Sequence, residues 1–203
     1  ARRRGGAGRI PLGGGRGAIA IAAAFAVGIA VFLYRQWRLA GTPALDAFPL
    51  DDSWIHLHFA RNLAEGAGFA YNPGVPVAGS TAPLWTLLLA GAFALAGAVP
   101  ACAKVLGIAA ALGAALVTRR LVGAGTESRA LALAGGVTAA VAGPLVWGAL
   151  SGMEVSLAAL LVTGALVLHA HGRDTPTAVL LGLAVLARPE ALLLVPLVWL
   201  ARP

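Results

Sequence analysis

The strongest limit on what this chain can fold into is a series of blocks that are apolar on nearly every helical face. Seven can be marked: Ala18 to Tyr34, Leu84 to Val99, Ala101 to Val117, Ala130 to Leu150, Val155 to His169, Ala178 to Leu186 and Ala191 to Ala201. A helix that is apolar all round belongs in lipid or in the middle of a helix bundle. Composition agrees, with 59% of the 203 residues hydrophobic and 11% charged, against roughly 25% charged in soluble domains. A soluble domain of this size has too little polar surface to cover that much apolar area. The expected fold class is all-α, a polytopic membrane protein. No repeat of 20 to 50 residues is visible, which argues against a solenoid.

The formal charge of +7 invites a nucleic-acid reading, but its placement argues otherwise. Five of the fifteen basic residues, Arg2, Arg3, Arg4, Arg9 and Arg16, stand among glycines ahead of the first apolar block. That is a basic tail (residues 1–17) suited to an anionic cytoplasmic leaflet. No aromatic residues interleave with it, so no nucleic acid is expected as partner. The first block (residues 18–34) reads either as a signal-peptide core or as a retained first transmembrane helix. Retention is favoured, with Arg35 and Arg38 snorkelling beyond its end. Cys102, the single cysteine, can form no intrachain disulfide. The chain begins without methionine and stops just after an apolar run, so a piece of a longer protein is expected.

One long polar stretch interrupts the pattern, within residues 35–83, and carries Asp46, Asp51, Asp52 and Glu65. Asp51 to Ala64 reads as an amphipathic helix on the membrane surface. Asp51, Asp52 and Ser53 supply caps and negative charge at its start, Ile55, Phe59 and Leu63 form one apolar side, and Gly66 and Gly68 end it. Asn72-Pro73-Gly74 makes a turn. Ser80 or Thr81 then caps the next helix, with Pro83 in its first turn. Residues 84–203 supply five or six further membrane segments.

With arginines inside, the acidic loop is exterior. If Leu84 to Val99 spans, Glu154 falls opposite the aspartates; if it dips in and returns, Glu154 joins them outside and Arg119, Arg120 and Arg173 become cytoplasmic. Its sixteen residues give roughly 24 Å of helix, short of the ~30 Å hydrocarbon core, which favours the second arrangement.

Asp51 and Asp52 are the leading site candidates, since adjacent carboxylates at a helix start can bind a divalent cation or act as base and orienter. N-capping accounts for one aspartate well and the second less well. Glu154 opens an apolar block, where it either caps the helix or serves a site. Arg188 and Glu190 lie between two short apolar blocks, and an ionisable residue near membrane depth is a functional hypothesis. His56 and His58 point to different sides of a helix, while Asp52 and His56, four apart, share a face and form a metal-binding pair or interfacial hydrogen bonds. Trp54, Trp85, Trp147 and Trp199 read as interfacial anchors.

The run DDSWIHLHFARNLAEGAGFAYNPGVPVAGSTAPLW resembles the first exterior loop of GT-C-fold glycosyltransferases that use lipid-linked sugar donors. It is most similar to the bacterial branch with the mycobacterial terminal arabinofuranosyltransferases and related mannosyltransferases. That loop carries two acidic residues, an "RxxxNLxxGxGxxxNPG" segment and "GSTSPLW". Here Arg61 departs slightly from the usual offset and Ala82 stands where serine is common. SGME at Ser151 to Glu154 and ARPE at Ala187 to Glu190 complete four ordered motifs.

The resemblance implies the N-terminal membrane module of a GT-C fold in the bacterial plasma membrane, N-terminus cytoplasmic. It implies inverting transfer of a sugar from a polyprenyl-phosphate donor to a hydroxyl of a glycan, lipid or protein acceptor on the outer face. Asp51, Asp52 and Glu154 become the catalytic candidates, and Arg61 and Arg188 the candidates for the donor phosphate. A divalent ion, magnesium or manganese, is left open, with Asp52 and His56 as ligands. The rival readings are a non-catalytic scaffold subunit in a larger membrane complex and, less favoured, a small transporter.

Overall fold

The computed structural model describes residues 15–41, 47–77 and 79–201; Asp46 and the arginines of the tail before Arg16 lie outside them. It is almost entirely helical. In order come α1 (Arg16–Ala40), α2 (Asp51–Ala64), a small antiparallel hairpin of β1 (Ala70–Asn72) and β2 (Val75–Pro76), then α3 (Pro83–Ala96) and α4 (Pro100–Gly125). They are followed by α5 (Arg129–Val141), α6 (Gly143–Leu150), α7 (Val155–Ala170), α8 (Asp174–Ala187), a 3-10 turn (Pro189–Leu193) and α9 (Leu194–Leu200).

Among the described residues, two helices are long and apolar enough to cross a membrane: α1, over Arg16–Leu39, and α4, of 26 residues. A third crossing is formed if α5 and α6, bent by 49° at their junction, act as one span. Helices α3, α7, α8 and the Pro189–Leu200 stretch are apolar but shorter. Large apolar side chains such as Ile19, Val27 and Val31 on α1 and Leu95 on α3 are exposed, a surface that belongs against lipid.

Five legs alternate in direction. Helix α1 begins beside Arg119, near the end of α4, and runs past Gly136 until Gly28 meets Ala140 and Val146. Helix α4 runs the other way, and α5 returns beside it, Gly135 against Val122. Helix α7 then runs in the direction of α4, with Leu160 against Gly113, and α8 returns, Leu180 against Gly164. The bundle therefore has one end marked by Arg119, Arg129 and Arg173 and another where α2, the hairpin, the start of α7 and the end of α8 gather. Helix α3 starts and finishes at this second end: Trp85 bonds Gly152 just before α7, while Phe93 and Pro100 border Trp54 of α2.

Helix α4 is the centre. Its buried stripe, Ala103, Gly107, Ala110, Ala111, Ala114 and Ala115, is built from small residues, so neighbouring backbones come close. The closest approach is at Gly107, where an added Cβ would overlap the carbonyl of Ala149 in α6. Lys104, buried in the same helix, donates to the Ala47 carbonyl at 2.9 Å and stands 5.2 Å over the Phe48 ring. It thereby ties the segment ahead of α2 to the bundle.

The structure corrects several local expectations. Ala130 to Leu150 is two helices, because Pro144 has no N–H for the ladder and Ala142 turns extended. Helix α2 turns Ser53, His56, Leu57, Phe59 and Ala60 inward, with Leu57 and Ala60 in the cluster around α3, and of its expected apolar side Ile55 and Leu63 are only half-buried. Its N-cap is Leu50 with no side-chain bond, so neither aspartate caps it, and Ser53 bonds elsewhere. Ala82, rather than Ser80 or Thr81, precedes α3, whose first turn does hold Pro83. The stops at Gly66 and Gly68, both at positive φ, and the turn through Gly74 are as expected.

Gly107→Ala should separate α4 from α6 and cost roughly 1–3 kcal/mol by overpacking, whereas Gly182→Ala, with open space on α8, should be neutral or slightly stabilising. Thermal unfolding in detergent measures both; equal effects would remove the claim of close α4–α6 contact.

Candidate functional site

The loop from Ser151 to Glu154 is held on three sides. Ser53 Oγ of α2 donates to the Ser151 carbonyl at 2.6 Å, and Trp85 Nε1 of α3 donates to the Gly152 carbonyl at 2.9 Å. Within the loop, Ser151 Oγ donates to the Gly148 carbonyl and accepts from Met153 N–H. Gly152, at φ +79°, has Phe48 against it where a side chain would stand. Trp85 is fully buried and serves this clamp, so it is no interfacial anchor; Trp54 and Trp199 are exposed.

The clamp fixes Glu154, the residue before α7. Its side chain makes no capping bond and turns inward, with 6% of its side-chain surface exposed. One oxygen, Oε1, lies 3.4 Å from Arg188 Nη1, at the end of α8. The other, Oε2, lies 3.5 Å from His56 Nε2 and has no hydrogen-bond partner among the described residues. Ser156 Oγ, on the second residue of α7, is likewise buried and without a hydrogen-bond partner among the described residues. Buried polar atoms without partners are rare and mark places where a structure serves something besides its own stability.

His56 extends the cluster. Its Nδ1 is 3.4 Å from Ser80 Oγ, which is 2.8 Å from Thr86 Oγ1. Burial pushes the imidazole below its ordinary 6.5, and the carboxylates of Glu154 and Asp52, pulling the other way, offset only part of that. Arg188 is held above its ordinary value chiefly by its hydrogen bond to Glu190, and Glu190 below its own by the same bond. Arg188 is thus a fixed cation shared between a buried and an exposed carboxylate.

Of the residues singled out in the sequence, Glu154, Arg188 and His56 come together, and Asp52, on the His56 side of α2, acts on His56 through its charge. Asp51 and Asp52 are themselves exposed at the first turn of α2. Arg61 does not join them. It lies on another face of α2, with Nη2 3.4 Å from His58 Nδ1. The described residues contain no group of three His, Cys, Asp or Glu placed to hold a metal ion. Asp52 and His56 share a side of α2, and the His56 ring is turned toward Glu154.

Sequence reasoning missed the clamp and the relay. Ser53 and Ser80 looked like caps, Trp85 like an anchor and His56 like a ligand; each is committed to a partner far along the chain. The one available signal was that all four fall inside the motif-bearing run from Asp51 to Trp85. The chain matches no protein-family model, no curated protein and no solved structure.

A depressed histidine pKa sets the sign of a pH response. In the folded chain His56 stays neutral near neutral pH, while the unfolded chain binds that proton as pH falls below about 6.5. Its contribution is therefore whole above that value and is lost as pH falls toward the lower folded pKa. The thermal midpoint should drop between about pH 7.5 and 5.5, and less steeply in His56→Gln. Parallel slopes for the two proteins would show that His56 does not carry the response.

Proposed function

We propose that this chain is the membrane module of a GT-C-like glycosyltransferase that moves a sugar from a polyprenyl-phosphate donor to a hydroxyl acceptor. The observation that carries the reading is the buried, half-partnered carboxylate of Glu154, beside Arg188 and a neutral His56. An acceptor hydroxyl needs a base to take its proton as its oxygen attacks the anomeric carbon, and a carboxylate oxygen with an open lone pair can do so. Glu154 Oε2 is that oxygen, with Asp52 the alternative base nearer solvent. Attack from the face opposite the departing phosphate inverts the anomeric centre. The bond from that carbon to the lipid phosphate oxygen breaks, and the phosphate keeps the electron pair. Arg188 meets the charge that develops there. His56, neutral and beside the half-buried Ser80 hydroxyl, can pass the proton outward through it. No step requires a metal ion.

Charge supports the orientation. The end of the bundle away from the site carries Arg16, Arg119, Arg120, Arg129 and Arg173 against Glu127 and Asp174, while the site end is balanced. The positive-inside rule then puts the N-terminus in the cytoplasm and Glu154 on the outer face of a bacterial plasma membrane. A lipid-linked donor and a cell-envelope glycan, lipid or protein acceptor would meet there.

The second reading is a scaffold subunit in a larger membrane complex, and the contact between Arg188 and Glu154 favours it, since an ion pair can serve stability alone. Glu154→Gln separates the two. In membranes supplied with a panel of polyprenyl-phosphate sugars, the variant should lose about 10²- to 10⁴-fold in transfer rate with the thermal midpoint nearly kept. Undiminished transfer by the variant would move the base to Asp52, whereas no transfer by the parent chain would leave the scaffold reading in front.

A further inference from the structure

On the side of α2 away from Glu154 lies an open cleft of about 150 Å³. Trp54, Leu57, His58 and Arg61 line it from two turns of α2, together with Tyr71 of the hairpin and Phe93 of α3. On an ideal helix His56 and His58 point about 160° apart, so this cleft and the Glu154 centre occupy different sides of one rod. The intervening helix is roughly 10 Å thick with its side chains.

The cleft is built. Asn62, itself buried, donates through Nδ2 to the carbonyls of Ala70 at 2.8 Å and Tyr71 at 2.7 Å, pinning the hairpin to α2. Tyr71 consequently lies against the His58 ring, with centroids 4.5 Å apart and planes tilted by 31°. Arg61 Nη2 contacts His58 Nδ1, which orients both. Three flat rings, of Trp54, His58 and Tyr71, and one guanidinium therefore face a space the size of a single six-membered ring; a cavity of about 150 Å³ holds benzene.

The chemistry narrows the occupant. No carboxylate lines the cleft, so nothing there attracts a cation. The guanidinium, the indole N–H and the phenol offer donors, which suit a ligand rich in oxygen acceptors. The ring faces offer negative quadrupoles, which suit a ligand presenting polarised C–H groups. A saccharide ring has both: hydroxyl oxygens at its edge and C–H groups on its face.

We propose that this cleft is a saccharide subsite that holds one sugar ring of the acceptor, across α2 from the reacting hydroxyl. The proposal rests on the reading of Glu154 as the transfer centre, because only that makes the ring part of an acceptor. The path around a rod of that thickness is roughly 16 Å, so only acceptors of several sugars reach both.

The test is ligand-observed saturation-transfer NMR on the full chain in phosphatidylcholine nanodiscs. The probes are methyl arabinofuranoside, methyl mannoside and their linked disaccharides. At least one should bind saturably. Tyr71→Ala and Arg61→Ala should each weaken binding about tenfold, while Tyr71→Phe, which keeps the ring, stays close to the parent chain. Glu154→Gln should leave binding within about twofold.

Loss of binding in Glu154→Gln with Arg61→Ala unaffected would move the sugar to the other side of α2 and overturn the proposal. So would the absence of saturable binding by every probe. Displacement of the sugar by phosphatidylglycerol in the disc, through Arg61, would make the cleft a lipid-headgroup site and overturn it as well. If sugars bind as expected but the parent chain transfers none, the transferase reading fails while the sugar site stands.

Discussion

A carboxylate taken out of water costs on the order of several kcal/mol, and the chain buries one at Glu154. Its neighbours come from residues 56 and 188, roughly a hundred positions before it and a few dozen after it. To bring them there, α2 must dock against the start of α7, and α8 must run back the whole length of α7. The alternation of the legs, the clamp by Ser53 and Trp85 and the inward turn of α2 are all consistent with meeting that one demand. Elsewhere the interior is apolar and forgiving, and exchange of one aliphatic side chain for another of similar volume is tolerated. Around Glu154 it is not.

The second organising element is the small-residue stripe of α4. Close approach of backbones substitutes for large side chains in holding a bundle together where lipid is as apolar as leucine. It has a geometric side effect. Because α6 sits so near α4 at Gly107, the last turn of α6 and the loop after it are placed tightly, and Glu154 inherits that precision. The scaffold and the site are thus linked through Ala149 to Ser151 rather than through the long helices themselves.

Much of this could be read from residue order, for identifiable reasons. Apolar blocks announce helices because the bilayer leaves few alternatives, and the helix stop at Gly66 and the turn at Gly74 need positive φ that other residues resist. Glu154 and Arg188 stood out because charges at the edges of apolar runs are expensive. What stayed hidden was partnership. Ser53 and Ser80 sit where local rules assign caps, and only the distant Ser151 carbonyl and His56 ring explain why their hydroxyls turn away. Trp85 obeys the interfacial rule in position but is buried against a carbonyl 67 residues on. The break at Ala142 was legible in Pro144, yet the continuous apolar run obscured it. Local chemistry names the groups; long-range contacts decide which of several local options each one takes.

Helix α3 begins and ends at the same end of the bundle, and this bears on how the protein is made. With α1 and α4 as crossings, which their length and composition allow, everything from α2 through α3 would emerge on a single side. Insertion machinery must therefore let the 14 apolar residues of α3 pass without halting them, which their shortness permits, since a stable crossing takes about 20. The length of α3 acts as a topological counter: one more turn or two of leucine would register as a stop, and every leg after it would be threaded upside down, carrying Glu154 away from α2.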